Sequence, residues 1–162
     1  MSERERLSWE EFGVATQALA RQVAEDGYVP DVVLSVARGG LLVGAALGYA
    51  LDVKSTWVLN VEFYTGVDER LSVPVLLPPI PELDGLESSR VLIADDVADT
   101  GETLRMVKER CVGRVADVRC VVLYEKPSSV VACEYVWQRT ERWVDFPWSS
   151  SAPVTRALAL GA

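Results

Sequence analysis

The sequence predicts an α/β protein: a central, mostly parallel sheet flanked by helices, with a small hood over one end. Three observations predict it. Short runs rich in β-branched residues, such as Asp31–Val36 and Arg90–Ala94, alternate with stretches of helical periodicity. The strands run into turns of glycine or acid and then into helix starts. The tryptophan-rich tail beyond Tyr135 breaks that rhythm and reads as a cap.

The elements follow in order. Ser8-Trp-Glu-Glu11 is a capping box, and Phe12, Ala15, Leu19 and Val23 continue it at helical spacing to Gly27. Asp31–Val36 is a buried strand that meets Arg38-Gly39-Gly40; Leu41–Leu51 is a helix of small residues, and Ser55–Val61 a second strand. Residues 62–89 differ. Four of the eight prolines fall between Pro74 and Pro81, which allows edge-strand character at most. This excursion reads as a flexible lid, with a passive surface connection as the alternative. Arg90–Ala94 is a strand ending at Asp95-Asp96, Glu102–Cys111 a helix and Val118–Tyr124 a further strand. All 162 residues form one domain, with a core over about 28–126 and a hood mainly over about 127–150.

Composition excludes several functions. Sixteen basic against 24 acidic residues give a net charge of −8, which opposes a nucleic-acid-binding surface. The chain has no histidine, so zinc binding of the usual kind has almost no ligands to use, and Ser-His or Cys-His nucleophiles are excluded. Cys111, Cys120 and Cys133 form no C-x-x-C pair and read as reduced, packed thiols. The longest apolar run is too short to cross a bilayer, and the charged N-terminus lacks a signal-peptide core, so a cytoplasmic protein is expected.

The chemistry concentrates in Val91–Leu104. A hydrophobic strand delivers Asp95 and Asp96 to its carboxyl end, Asp99 follows in the turn, and Thr100-Gly101-Glu102-Thr103 opens a helix. Glycine permits close approach of a ligand, and the free amides of a helix start favour phosphate. Paired carboxylates suit neighbouring sugar hydroxyls or a hard cation such as magnesium. Each part also occurs in other α/β folds, phosphate-receiver domains among them; the joint spacing is what is specific.

That stretch closely resembles the phosphoribosyl pyrophosphate (PRPP) signature of type I phosphoribosyltransferases. The resemblance implies the type I phosphoribosyltransferase fold, with Asp95 and Asp96 on the ribose hydroxyls, directly or through Mg2+. It implies that residues Asp99, Thr100, Gly101, Glu102 and Thr103 wrap the 5′-phosphate, and that Asp99 takes the base's proton. Ala37-Arg38-Gly39 resembles the family's pyrophosphate loop, whose Ala37–Arg38 peptide can be cis; alone, Arg-Gly-Gly would be a plain tight turn.

The base is the remaining question. Lys126, just past the last core strand, and Arg142-Trp-Val-Asp-Phe-Pro-Trp148 resemble the hood of microbial xanthine–guanine and hypoxanthine–guanine phosphoribosyltransferases. By that resemblance Lys126 donates to a purine 6-oxo group, Trp143 stacks on the ring, and Val144 offers backbone groups to its edge. Asp145 is placed to accept from the 2-amino group of guanine and to disfavour xanthine. Two positions depart from relatives: Tyr64-Thr65 lacks the serine–tyrosine pair of some lids, and Ser149 stands where some carry an acid. The implied partners are PRPP, a purine base and further copies of the chain in a dimer or tetramer, with no nucleic acid and no membrane. The alternatives are a PRPP-binding regulator without catalysis, or an enzyme for adenine or a pyrimidine.

Overall fold

The computed structural model describes residues 4–64 and 73–159. In chain order the elements are β1 (Arg4–Arg6), α1 (Trp9–Glu25), β2 (Val32–Ala37), α2 (Gly39–Ala50), β3 (Thr56–Tyr64) and β4 (Val73–Leu77). They continue with β5 (Arg90–Ala98), α3 (Glu102–Cys111), β6 (Asp117–Glu125), β7 (Tyr135–Arg139), β8 (Trp143–Asp145) and α4 (Val154–Ala159).

Six strands make the main sheet in the order β4-β3-β2-β5-β6-β7. All neighbours are parallel except β4, which returns antiparallel along β3 with Pro74 opposite Phe63. Proline fits there because β4 is an edge strand and its unpaired side needs no donor. Thr65 and the rest of the span to residue 72 lie outside the described residues.

Side-chain alternation along the strands divides the core into two layers. Leu92 and Ala94 of β5, with Val121 and Leu123 of β6, pack beside Leu19 and Val23 of α1 and Val43 and Leu47 of α2. On the other face Val91, Ile93, Cys120 and Val122 meet Leu104, Val107 and Cys111 of α3. Ser8 caps α1 as the capping box requires: its Oγ accepts from the Glu11 amide, and its own amide donates to Glu11. The three cysteines are free and buried. No helix among the described residues is long and apolar enough to cross a membrane.

Three boundaries differ from the sequence reading. β5 does not stop at the acid pair but runs to Ala98, so Asp95 sits on the ladder opposite Val122. Continued pairing with β6 outweighs the low strand propensity of aspartate. The tail after Tyr135 is not all cap: Tyr135–Arg139 joins the main sheet parallel to β6, with Tyr135 buried. The hood draws half its sheet from the other end of the chain, because β8 pairs in parallel with β1. Aromatic packing seats this small sheet on α1. Phe146 and Trp148 stack at 4.8 Å, and Trp148 meets Phe12 edge-on at 5.5 Å and Trp9 at 5.9 Å.

Candidate active site

The carboxyl ends of β2, β5 and β6 open toward one side of the sheet, where ligands gather in such folds. Asp95 is buried, and its Oδ1 accepts the Asp96 amide at 2.9 Å. Burial, with Asp96 alongside, pushes the Asp95 carboxyl well above the usual carboxylate range; burial also raises Asp96. Hydrogen bonds from the Val97 amide and the Trp148 side chain oppose the rise at Asp96.

The acid pair and the Arg-Gly-Gly turn are one structure. A Cβ on Gly39 would lie 1.9 Å from Asp96 Oδ2, and one on Gly40 would lie 2.4 Å from the Ala94 carbonyl oxygen. Only glycine lets α2 begin against the end of β5. The Ala37–Arg38 peptide is cis. Arg38 is exposed at the start of α2, and with Ala37 it lines a groove of about 400 Å³ that Asn60, Val61 and Glu62 complete.

After β5 the chain turns through Asp99 and Thr100 into α3. Gly101 has φ +77°, and a Cβ there would lie 2.4 Å from Ser129 Oγ. The turn is braced from outside: the Val130 amide donates to the Thr100 carbonyl at 2.8 Å, and Ser128 Oγ donates to the Asp99 carbonyl at 3.0 Å. No side chain caps α3 at its N-cap Gly101, although Thr100 Oγ1 accepts from the Glu102 amide at 3.4 Å. A helix start of this kind leaves amides that suit a phosphate. Glu102 is drawn along the helix into an ion pair with Arg105.

Beside this turn lies a cavity of about 1000 Å³. Asp99, Lys126, Trp143, Val144 and Asp145 all line it, as does Ser149. Lys126 Nζ stands 3.3 Å from Asp99 Oδ1 and 5.6 Å from the centre of the Trp143 ring. Trp143 is 58 % exposed, which leaves an indole face open. The side chain of Val144 packs into the core. Asp145 O accepts from the Leu7 amide, so the alternation of a parallel ladder turns the Val144 amide and carbonyl toward the outer edge of β8. Asp145 is not a bare acceptor: its Oδ1 takes a hydrogen bond from Arg4 Nη1 at 2.7 Å. Arg4 and Arg6, absent from the sequence reading, line the same cavity. Their position follows from pairing across nearly the whole chain, which no motif records.

The donor set bears on magnesium. Among the described residues no cluster of three or more His, Cys, Asp or Glu converges on a point. Asp95 and Asp96 supply hard oxygen donors in a buried place, and Mg2+ is commonly held by one or two carboxylates with the substrate's own phosphates. The pair fits that mode and does not form a closed protein cage.

An acid pair on a buried strand, a helix start without a side-chain cap at Gly101 and a cavity of about 1000 Å³ all lie at the carboxyl end of the sheet, an arrangement suited to a phosphorylated substrate. The chain belongs to the phosphoribosyl transferase family, whose domain model matches residues 5–153. It is 30 % identical to the xanthine-guanine phosphoribosyltransferase of Idiomarina loihiensis, over 88 % of this chain and 84 % of that one. Among solved structures it is similar to a purine phosphoribosyltransferase from Pyrococcus horikoshii: 37 % identity, TM-score 0.79, covering 93 % of this chain and 97 % of that one. It also shares the fold of the xanthine-guanine-hypoxanthine phosphoribosyltransferase of Helicobacter pylori: 22 % identity, TM-score 0.76, 98 % and 100 % covered. The architecture is thus the type I phosphoribosyltransferase fold, and the protein is a transferase.

Proposed function

We propose that this enzyme transfers the 5-phosphoribosyl group of PRPP to a 6-oxopurine (guanine, xanthine or hypoxanthine), releasing pyrophosphate, as a step of purine salvage. The observation that carries this reading is the pairing of Lys126 with Asp99 beside the open face of Trp143. The 6-oxo group and N7 of a purine are neighbours on one ring edge. A cation and a carboxylate 3.3 Å apart match that edge: Lys126 donates to the oxo group and Asp99 accepts from N7–H. Adenine would turn a 6-amino donor toward the ammonium, a mismatch in a site built to donate. Val144 backbone groups meet the opposite edge of the base.

The PRPP side follows from the signature. Thr100, Gly101, Glu102 and Thr103, with the Asp99 backbone, cradle the 5′-phosphate through amides and hydroxyls. Asp95 and Asp96 hold the ribose hydroxyls, and Ala37, Arg38 and Gly39 take the pyrophosphate. Asp95 and Asp96 would hold Mg2+, which would supply positive charge to the departing pyrophosphate. In the reaction the anomeric carbon–oxygen bond to pyrophosphate breaks and the bond to the base nitrogen forms. Positive charge develops on the ribose ring near the buried carboxylates, and Asp99 takes the proton that the base gives up. The family's tendency to self-associate makes a dimer or tetramer the expected assembly.

Incubation with PRPP and Mg2+ against guanine, xanthine, hypoxanthine, adenine, uracil and orotate tests the reading. Nucleotide from the 6-oxopurines, abolished by chelator and restored by Mg2+, is the expected result. Product from adenine or a pyrimidine alone would overturn the assignment of Lys126 and Trp143. PRPP binding without any product would make the protein a regulator.

A further inference from the structure

The hood sheet brings a cation to the base site that the reaction above does not use. In the β1–β8 register Arg4 lies opposite Trp143 and Arg6 opposite Asp145. Partners in a parallel ladder project to the same face, and that face alternates along each strand. Arg4, Arg6, Trp143 and Asp145 therefore share the cavity side, and Val144 turns its side chain into the core. On this side Arg4 Nη1 holds Asp145 Oδ1 at 2.7 Å, with the arginine side chain 58 % and the aspartate 20 % exposed.

A purine lying on Trp143, with its 6-oxo group at Lys126 and N7 at Asp99, turns its 2-substituent away from N7. In that pose the 2-substituent would turn toward the rest of the cavity lining, which includes Asp145 and Arg4. An aspartate alone would accept from a 2-amino group and repel a 2-oxo group, above all in an anionic base. An aspartate bound to arginine is a different surface: its charge is offset, and the guanidinium carries further N–H donors. We propose that Arg4 is a specificity-determining residue that admits a 2-oxo substituent beside Asp145, so that the enzyme accepts xanthine as well as guanine. This inference rests on the 6-oxopurine reading.

The test compares kcat/KM for guanine, xanthine and hypoxanthine, with PRPP and Mg2+, in wild type, Arg4→Met, Arg4→Lys, Asp145→Asn and the double variant Arg4→Met/Asp145→Asn. Arg4→Met should lower the xanthine-to-guanine ratio about tenfold or more, the scale of one charge-assisted hydrogen bond. Hypoxanthine, which has no 2-substituent, should stay within about threefold of wild type, on the scale of effects away from a lost contact. Arg4→Lys should recover part of the ratio. Adding Asp145→Asn to Arg4→Met should raise the ratio again by removing the repelling charge. An unchanged ratio in Arg4→Met overturns the proposal. So does an equal loss on all three bases, which would mark Arg4 as a strut between β1 and β8. A wild-type enzyme inactive on every 6-oxopurine overturns the underlying reading, and is distinguished from an active enzyme whose ratio does not move.

Discussion

The β5–α3 turn and the β1–β8 hood line one cavity but are built in opposite ways. The turn is local: acids, glycine and helix start lie within a dozen residues, on a buried strand whose neighbours are β2 and β6. The hood is assembled from chain ends 137 or more residues apart, is two strands wide, and keeps Trp143 and Arg4 more than half exposed. On the proposed reading the difference divides the tasks. Rigid burial suits a site for the invariant part of the substrate, PRPP, because preorganised dipoles need no rearrangement. A small exposed sheet held by aromatic contacts suits the part that varies, the base. Lys126, just after β6, joins the two by touching both Asp99 and Trp143.

The contrast breaks first at Asp99. Asp99→Asn should reduce kcat by about two to four orders of magnitude while leaving PRPP affinity nearly intact, as expected when a general base is lost; steady-state rates beside PRPP titration would show it. At the junction, Lys126→Met should cut kcat/KM for guanine about ten- to a hundredfold, the scale of a hydrogen bond from a charged donor. The same substitution should narrow the gap to adenine, which competition assays would read. In the hood, Trp143→Leu should raise KM for the base about five- to tenfold with kcat little changed, because stacking is lost in ground and transition states alike.

The smallest effect concerns stability and belongs to the turn. The Asp95 carboxyl lies well above its ordinary 3.8, first because it is buried and next because Asp96 is beside it. A raised carboxyl favours the folded state while protonated. That contribution is complete below the ordinary value and is lost as pH rises through the raised one. The ligand-free protein should therefore lose stability as pH climbs from acid across that window. Asp95→Asn should flatten the profile and raise Tm at neutral pH, by about 2–4 °C for each kcal/mol recovered, while weakening PRPP binding. Thermal melts across pH, with and without PRPP, would separate the two effects.

The same contrast explains what could be read from the chain. The capping box at Ser8 and the α3 boundaries depend on neighbours in sequence, and the structure places them as read. The β5 terminus was harder, because pairing with β6 rather than local propensity carries the strand past Asp96 to Ala98. β7 is illegible locally for a similar reason: Tyr-Val-Trp-Gln-Arg becomes a strand by lying beside β6 at the sheet's edge. The contact of Arg4 with Asp145 lies further still from any local pattern. Only the folded hood reveals that Asp145 is an ion-paired group rather than a lone acceptor.

The central claim is that two differently built regions meet over one 6-oxopurine, with Lys126 reading its oxo group. Initial rates with PRPP and Mg2+ for guanine against adenine test it most directly. The account predicts that guanine is preferred by about a hundredfold or more, since adenine would set a 6-amino donor against the Lys126 ammonium. Equal rates, or a preference for adenine, would contradict it.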